Sequence, residues 1–193
     1  MKKKLKDKKI AFDFDGVIAD TNKEKIKWLR NKGFSIKCAD KTSFYSELSY
    51  ILTNTEIDEL YNNMSKIIFQ PETLYRTKPV LGAIEKIKKL SQNFNIYIVT
   101  ARTENLIKPV YEWIKKYDLS ENIHEIISSS YESKQDICLK NNIGFLCDDD
   151  VRHLIDKKIR VRILFNTGER RVKDGIIVVE SWDEIERILL ELS

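Results

Sequence analysis

Short unbroken apolar runs alternate with longer stretches in which apolar residues recur every three or four positions. The runs read as strands at residues 10–14, 94–99, 124–128, 143–147 and 161–165, with 176–179 as a closing edge strand. Residues 79–90 carry Leu81, Ile84, Ile87 and Leu90 on one helical face, and Pro79 suits the first helical position. Residues 104–117 place Leu106, Ile107, Val110, Trp113 and Ile114 at helical spacing, with Pro109 near the start or at a kink. Residues 132–141, holding Lys134, Ile137 and Cys138, form a further helix, and a short one reaches Lys157. Ser181 caps the last helix, with Glu184 three residues on completing a capping box. This alternation predicts an α/β fold, a Rossmann-like parallel sheet with helices on both faces.

Residues 21–78 break the pattern. Thr21-Asn22 can cap a helix carrying Ile26, Trp28 and Leu29 that stops at Gly33. A polar, irregular stretch with Phe44 and Tyr45 follows. A second helix opens near Thr55, with Glu56, Asp58 and Glu59 in its first turn and Leu60, Met64, Ile67 and Ile68 behind them. No strand is evident. The region reads as a small helical insertion in a core made of residues 1–20 and 79–193.

Composition narrows the function classes. The length of 193 residues fits one core with a modest insertion, and 42% apolar residues suffice to fill it. The net charge of +4 comes from 34 basic and 30 acidic residues, and much of the excess sits in the Lys-rich residues 2–9. Away from that tail no basic run is interleaved with aromatics, so no nucleic-acid partner is expected. The Lys-rich start lacks the apolar stretch of a signal peptide, and no segment has the length to cross a bilayer. Cys38, Cys138 and Cys147 are odd in number and widely spaced, unlike a disulfide framework or a zinc site. A cytoplasmic protein without membrane contact is expected; the sequence does not give its oligomeric state.

Four polar elements follow strands or open helices: Asp13 with Asp15, Thr100, Lys134, and Asp148 with Asp149. In a parallel sheet all strand tips emerge at one edge, where open α/β sheets bind ligands. Asp13 and Asp15, with Gly16 behind them, could be an ordinary turn. Paired acids, a hydroxyl, a lysine and a second acid cluster together suit phosphate plus Mg²⁺ held by oxygens. One carboxylate can attack phosphorus, and another can protonate the leaving oxygen and later activate water. Thr100 and the backbone N–H groups after it, from Ala101 onward, can donate to phosphate oxygens. Lys134 brings a point charge; Lys140, deeper in its helix, reads as a solvated rival. Arg102 fits either a phosphate contact or the helix start. Asp150 reads as a cap, and His124 and His153 show no partner pattern.

This set resembles the haloacid dehalogenase superfamily of phosphohydrolases. Asp13-Phe14-Asp15-Gly16-Val17 matches the first motif, Ile96-Tyr97-Ile98-Val99-Thr100 the second, Lys134 in Ser133-Lys134-Gln135 the third, and Phe145-Leu146-Cys147-Asp148-Asp149 the fourth. The resemblance covers nearly the whole chain outside residues 21–78, where such enzymes carry a helical cap. It implies Asp13 as nucleophile, Asp15 as general acid/base, and Thr100, Ala101, Arg102 and Lys134 at the phosphate. It also implies Mg²⁺ at Asp13, the Asp15 carbonyl and Asp148, with Asp149 beside them, and a small phosphorylated substrate. Val99-Thr100-Ala101-Arg102, the acid run and Leu164-Phe165-Asn166-Thr167 are similar to the cytosolic deoxyribonucleotidase branch, which implies a nucleoside monophosphate. That branch stacks an aromatic residue on the base where Thr21 stands here. Sugar phosphates, other small phosphoesters, a polynucleotide 3′ end, or phosphate binding without turnover remain alternatives. A receiver domain uses similar residues, but its acids precede the threonine and lysine, whereas Asp148 and Asp149 follow them. Phe44 and Tyr45 either reach the site and choose the leaving group or pack the insertion's own core.

Overall fold

The structure, a computed structural model, describes residues 8–37, 41–165 and 175–192. Its centre is a six-stranded, all-parallel sheet of β1 (Lys9–Phe12), β2 (Asn95–Thr100), β3 (Glu125–Ser128), β4 (Phe145–Asp148), β5 (Val161–Phe165) and β6 (Ile176–Val179). The order is β3-β2-β1-β4-β5-β6, so the chain reverses direction across the sheet between β1 and β4. Ile10 pairs with Ile96 on one side and Phe145 on the other. That switch point is where an open parallel sheet leaves a crevice beyond its strand tips.

Both faces are covered, because alternate side chains point opposite ways along each strand. Ile10, Phe12, Ile96, Ile98 and Ile163 pack on α5 (Ala83–Leu90), α6 (Ile107–Lys116) and α8 (Trp182–Glu191), through Ile87, Trp113 and Trp182 among others. Ala11, Tyr97, Val99 and Leu146 pack on α7 (Lys134–Lys140) through Ile137 and Cys138. Cys138 and Cys147 are buried free thiols, while Cys38 lies outside the described residues.

Residues 21–76 hold α1 (Thr21–Asn31), α2 (Lys41–Leu48), α3 (Asn54–Ile68) and α4 (Pro71–Arg76). They enclose an apolar cluster of their own, with Leu29, Phe44, Leu48, Ile57 and Met64 at its centre. The stretch expected to be irregular is therefore a helix, since Phe44 and Leu48 need helical spacing to face the same cluster. Thr53 caps α3 through a reciprocal bond with Glu56. Where this region joins the sheet, its two stems pair antiparallel: the Asp20 N–H donates to the Lys78 carbonyl and the Val80 N–H to the Ile18 carbonyl, both 2.8 Å. Pro79 lies in that bridge and does not start a helix. The helix begins at Ala83, and Leu81, expected on its buried face, is 94% exposed. The short helix before Lys157 is a single 3-10 turn at Val151–His153.

Candidate active site

β1 ends at Phe12, and the next residue carries the first carboxylate. The Asp13 N–H still donates to the Cys147 carbonyl at 2.8 Å, which extends the ladder and holds Asp13 beside the tip of β4. Gly16 then turns the chain at φ +86°, a conformation that costs an L side chain. A Cβ there would lie 2.1 Å from Asp149 Oδ2, so the glycine also leaves room for the second acid cluster.

Lys134 is the first residue of α7, whose N-cap Ser133 accepts from the Asp136 N–H. Its ammonium is 1% exposed and bridges Asp13 Oδ1 at 2.8 Å and Asp148 Oδ2 at 2.7 Å. Burial alone would lower the lysine's pKa; Asp13 and Asp148 hold the proton on and raise it. Lys140, by contrast, pairs with Glu132 at the surface. The Asp148 Oδ1 accepts from the Asp150 N–H at 2.9 Å. Asp150 itself caps the following turn, accepting from the Arg152 N–H at 3.0 Å and gripping its guanidinium.

Arg102 forks onto Asp15, Nε to Oδ2 at 2.8 Å and Nη2 to Oδ1 at 2.9 Å. Its third nitrogen, Nη1, donates to the Phe69 carbonyl at 3.1 Å, at the end of α3. Burial would raise the Asp15 carboxyl, and Arg102, helped by Lys25 and Lys134, outweighs this and holds it below the usual value. Thr100 is fully buried beneath this loop, its hydroxyl accepting from the Arg102 N–H at 3.3 Å. The cleft of about 230 Å³ above the strand tips is lined by Ala101, Arg102 and Thr103 in place of Thr100. Asp13, Asp15, Lys134, Asp148 and Asp149 also line it.

Asp13, Asp148 and Asp149 each bring a carboxylate oxygen within 4.8 Å of the others. Burial pushes Asp13 well above the usual carboxylate range; Lys134 opposes that, while Asp148, Asp149 and Asp15 add to it. Burial, with Asp148 adding and Lys25 opposing, pushes Asp149 up to about 7. Crowded, half-compensated carboxylates with only oxygen donors suit a hard divalent cation such as Mg²⁺.

Several cleft residues lie outside the four motifs. Lys25 reaches in from α1, Tyr61 and Phe69 from and just after α3, and Arg152 and His153 from the turn after β4; Asn22 of α1 does not line the cleft but links Lys25 to Asp149. Phe44 and Tyr45 do not line the cleft. Phe44 is fully buried in the cluster of residues 21–76, and Tyr45 packs against it with its hydroxyl donating to Asp58. Of Leu164-Phe165-Asn166-Thr167, the last two residues lie outside the described residues.

Residues 7–192 match the family described as 5′ nucleotidase, deoxy (pyrimidine), cytosolic type C protein, NT5C. The chain belongs to this family. A 5′(3′)-deoxyribonucleotidase of Bacillus subtilis is 25% identical over 194 residues, which cover 95% of this chain and 99% of the relative. A nucleotidase of Clostridium acetobutylicum is 26% identical over 93% of this chain and 92% of its own. Among solved structures, a haloacid dehalogenase-like hydrolase of Streptococcus pneumoniae superposes with a TM-score of 0.61 at 15% identity, covering 94% of this chain and 98% of that one. The magnesium-bound hydrolase YfnB of Bacillus subtilis gives the same TM-score and identity over 95% and 98%. The two structures share the fold, and the family makes this NT5C chain a phosphatase of the nucleotidase type.

Proposed function

We propose that the protein hydrolyses deoxynucleoside monophosphates, with Asp13 as nucleophile, Asp15 as acid/base and Mg²⁺ at Asp13, Asp148, Asp149 and the Asp15 carbonyl. The observation that carries this reading is the buried Asp13–Lys134–Asp148 bridge at the β1/β4 switch point. Here a carboxylate oxygen faces the crevice with a cation fixed beside it.

The Asp13 oxygen attacks phosphorus while the P–O bond to the nucleoside breaks, and the departing oxygen takes a proton from Asp15. Water then gives a proton to the Asp15 carboxylate and attacks the acyl phosphate, releasing phosphate and freeing Asp13. Arg102, Lys134 and the N–H groups after Thr100 receive the phosphate oxygens. Arg102 now grips Asp15 with the same fork that a phosphate would occupy, so substrate competes for it. Mg²⁺, when bound, offsets charge developing on the transferred phosphoryl group.

Residues 21–78 act as a cap over a core of residues 1–20 and 79–193, and Tyr61 and Phe69 offer ring faces to the nucleoside. The B. subtilis relative's name supports the deoxynucleotide substrate. Among the described residues no helix is long and apolar enough to cross a membrane, and the family's cytosolic description supports the cytosol as the compartment. A phosphate-release screen over deoxynucleoside monophosphates, ribonucleotides and sugar phosphates, with Mg²⁺ and with chelator, tests the reading. Deoxynucleotides should lead, and chelator should abolish release. Preference for sugar phosphates, or full activity in chelator, contradicts it.

A further inference from the structure

Each acid of the proposed metal site has a donor that fixes its rotation. Asp13 Oδ1 accepts from the Phe14 N–H at 2.7 Å, and Asp148 Oδ1 from the Asp150 N–H at 2.9 Å. Both donors belong to the loops beyond the sheet. The donor to Asp149 comes from α1: Asn22 Nδ2 reaches Asp149 Oδ2 at 2.7 Å, and Lys25 Nζ reaches Asn22 Oδ1 at 2.9 Å. A lysine only donates and a carboxylate only accepts, so the amide between them has one permitted orientation. Lys25 is 7% exposed and shares the buried face of α1 with Thr21 and Leu29, four residues away on either side. An ammonium in a position that spacing assigns to a core side chain needs an electrostatic reason. The absent Cβ of Gly16 makes the space: it would lie 2.6 Å from Asn22 Nδ2 as well as 2.1 Å from Asp149 Oδ2.

We propose that Asn22 and Lys25 are positioning residues that set the Asp149 carboxylate through a Lys25–Asn22–Asp149 relay, and so couple the placement of the insertion's first helix to metal affinity. This rests on Asp149 being a metal ligand. When α1 is docked, the relay holds Asp149 toward the cluster. When α1 moves away, Asp149 loses its donor and the site weakens.

The test is calorimetric titration of the whole chain with Mg²⁺ alone, without substrate, for wild type, Asn22→Ala, Lys25→Met, the double variant and Asp149→Asn. Loss of a partner that orients a ligand typically weakens metal binding about 10- to 100-fold, so Asn22→Ala and Lys25→Met should each raise the dissociation constant by that order. Links in series are not additive, so the double variant should match the worse single one. Asp149→Asn should weaken binding too. If Asp149→Asn weakens binding while Asn22→Ala leaves it at the wild-type value, the relay is refuted and the ligand assignment stands. If Asp149→Asn has no effect, the ligand assignment fails and takes the relay with it. Additive losses in the double variant also refute the relay. Should Lys25→Met not fold, Asn22→Ala, which keeps the buried ammonium, decides the matter.

Discussion

Lys134→Ala removes the cation between Asp13 and Asp148 and leaves the rest of the crevice in place. The ammonium is 1% exposed and sits 2.8 and 2.7 Å from its two acceptors, so the substitution strands two buried carboxylates. Breaking a buried ion pair on one side costs about 3–5 kcal/mol. For a domain of this size each kcal/mol moves Tm by about 2–4 °C, giving a fall of roughly 6–20 °C in chelator. Saturating Mg²⁺ should recover part of that, because a divalent cation supplies the missing charge to the same oxygens. Activity has a separate loss: removing a preorganised charge at a transferring phosphoryl group costs on the order of a hundredfold or more, about 2.7 kcal/mol. Lys140→Ala is the control, since its exposed pair with Glu132 is worth about 0–1 kcal/mol. The assay is kcat/KM for an aryl phosphate at saturating Mg²⁺, with Tm measured in Mg²⁺ and in chelator. Equal losses from the two variants, or a Lys134→Ala enzyme with wild-type kcat/KM, would refute the placement of Lys134 at the reacting group.

Gly16→Ala should lose both stability and Mg²⁺ affinity, because the left-handed backbone costs an alanine about 1–2 kcal/mol and the new methyl displaces Asp149; an unchanged metal titration would count against the crowding argument. Phe44→Ala should lower stability by about 3–5 kcal/mol while leaving the order of preferred substrates intact, since the ring is buried in the insertion's own cluster. Tyr61→Ala should instead change relative kcat/KM among nucleotides about fivefold, the worth of one aromatic contact, with little change for a minimal aryl phosphate. A reversed outcome in the substrate panel, with Phe44 selective and Tyr61 silent, would relocate the nucleoside pocket.

The sheet and the strand tips were legible because their signals are local. An apolar run ending in an acid or a threonine marks a buried strand and its exit, as at Asp13, Thr100 and Asp148. Ser181 caps its helix through a bond that spans three residues. What was missed depends on pairing across the chain. Pro79 suits a helix start locally, but its segment bridges Ala19, sixty residues earlier in sequence, and this postpones the helix to Ala83. The polar composition around Phe44 hid a helix whose reason is the cluster it closes. Arg102 was ambiguous because its partners, Asp15 and the Phe69 carbonyl, come from the first loop and the insertion. Lys25 did leave a trace: it stands four residues before Leu29, on the face that α1 buries. A lysine on an apolar stripe in the first helix after an acid pair points to a charge that the site uses.

The central claim is that Asp13 becomes phosphorylated, and an Asp15→Asn variant given an aryl phosphate tests it most directly. An aryl oxide leaves without needing a proton, so the first step should survive, while water can no longer be activated for the second. Acid quench followed by peptide mass mapping should find one phosphoryl group on the peptide containing Asp13, with a burst of product equal to the enzyme present. Absence of both burst and phosphopeptide, or a phosphoryl group on another residue, would contradict the assignment of Asp13 as nucleophile.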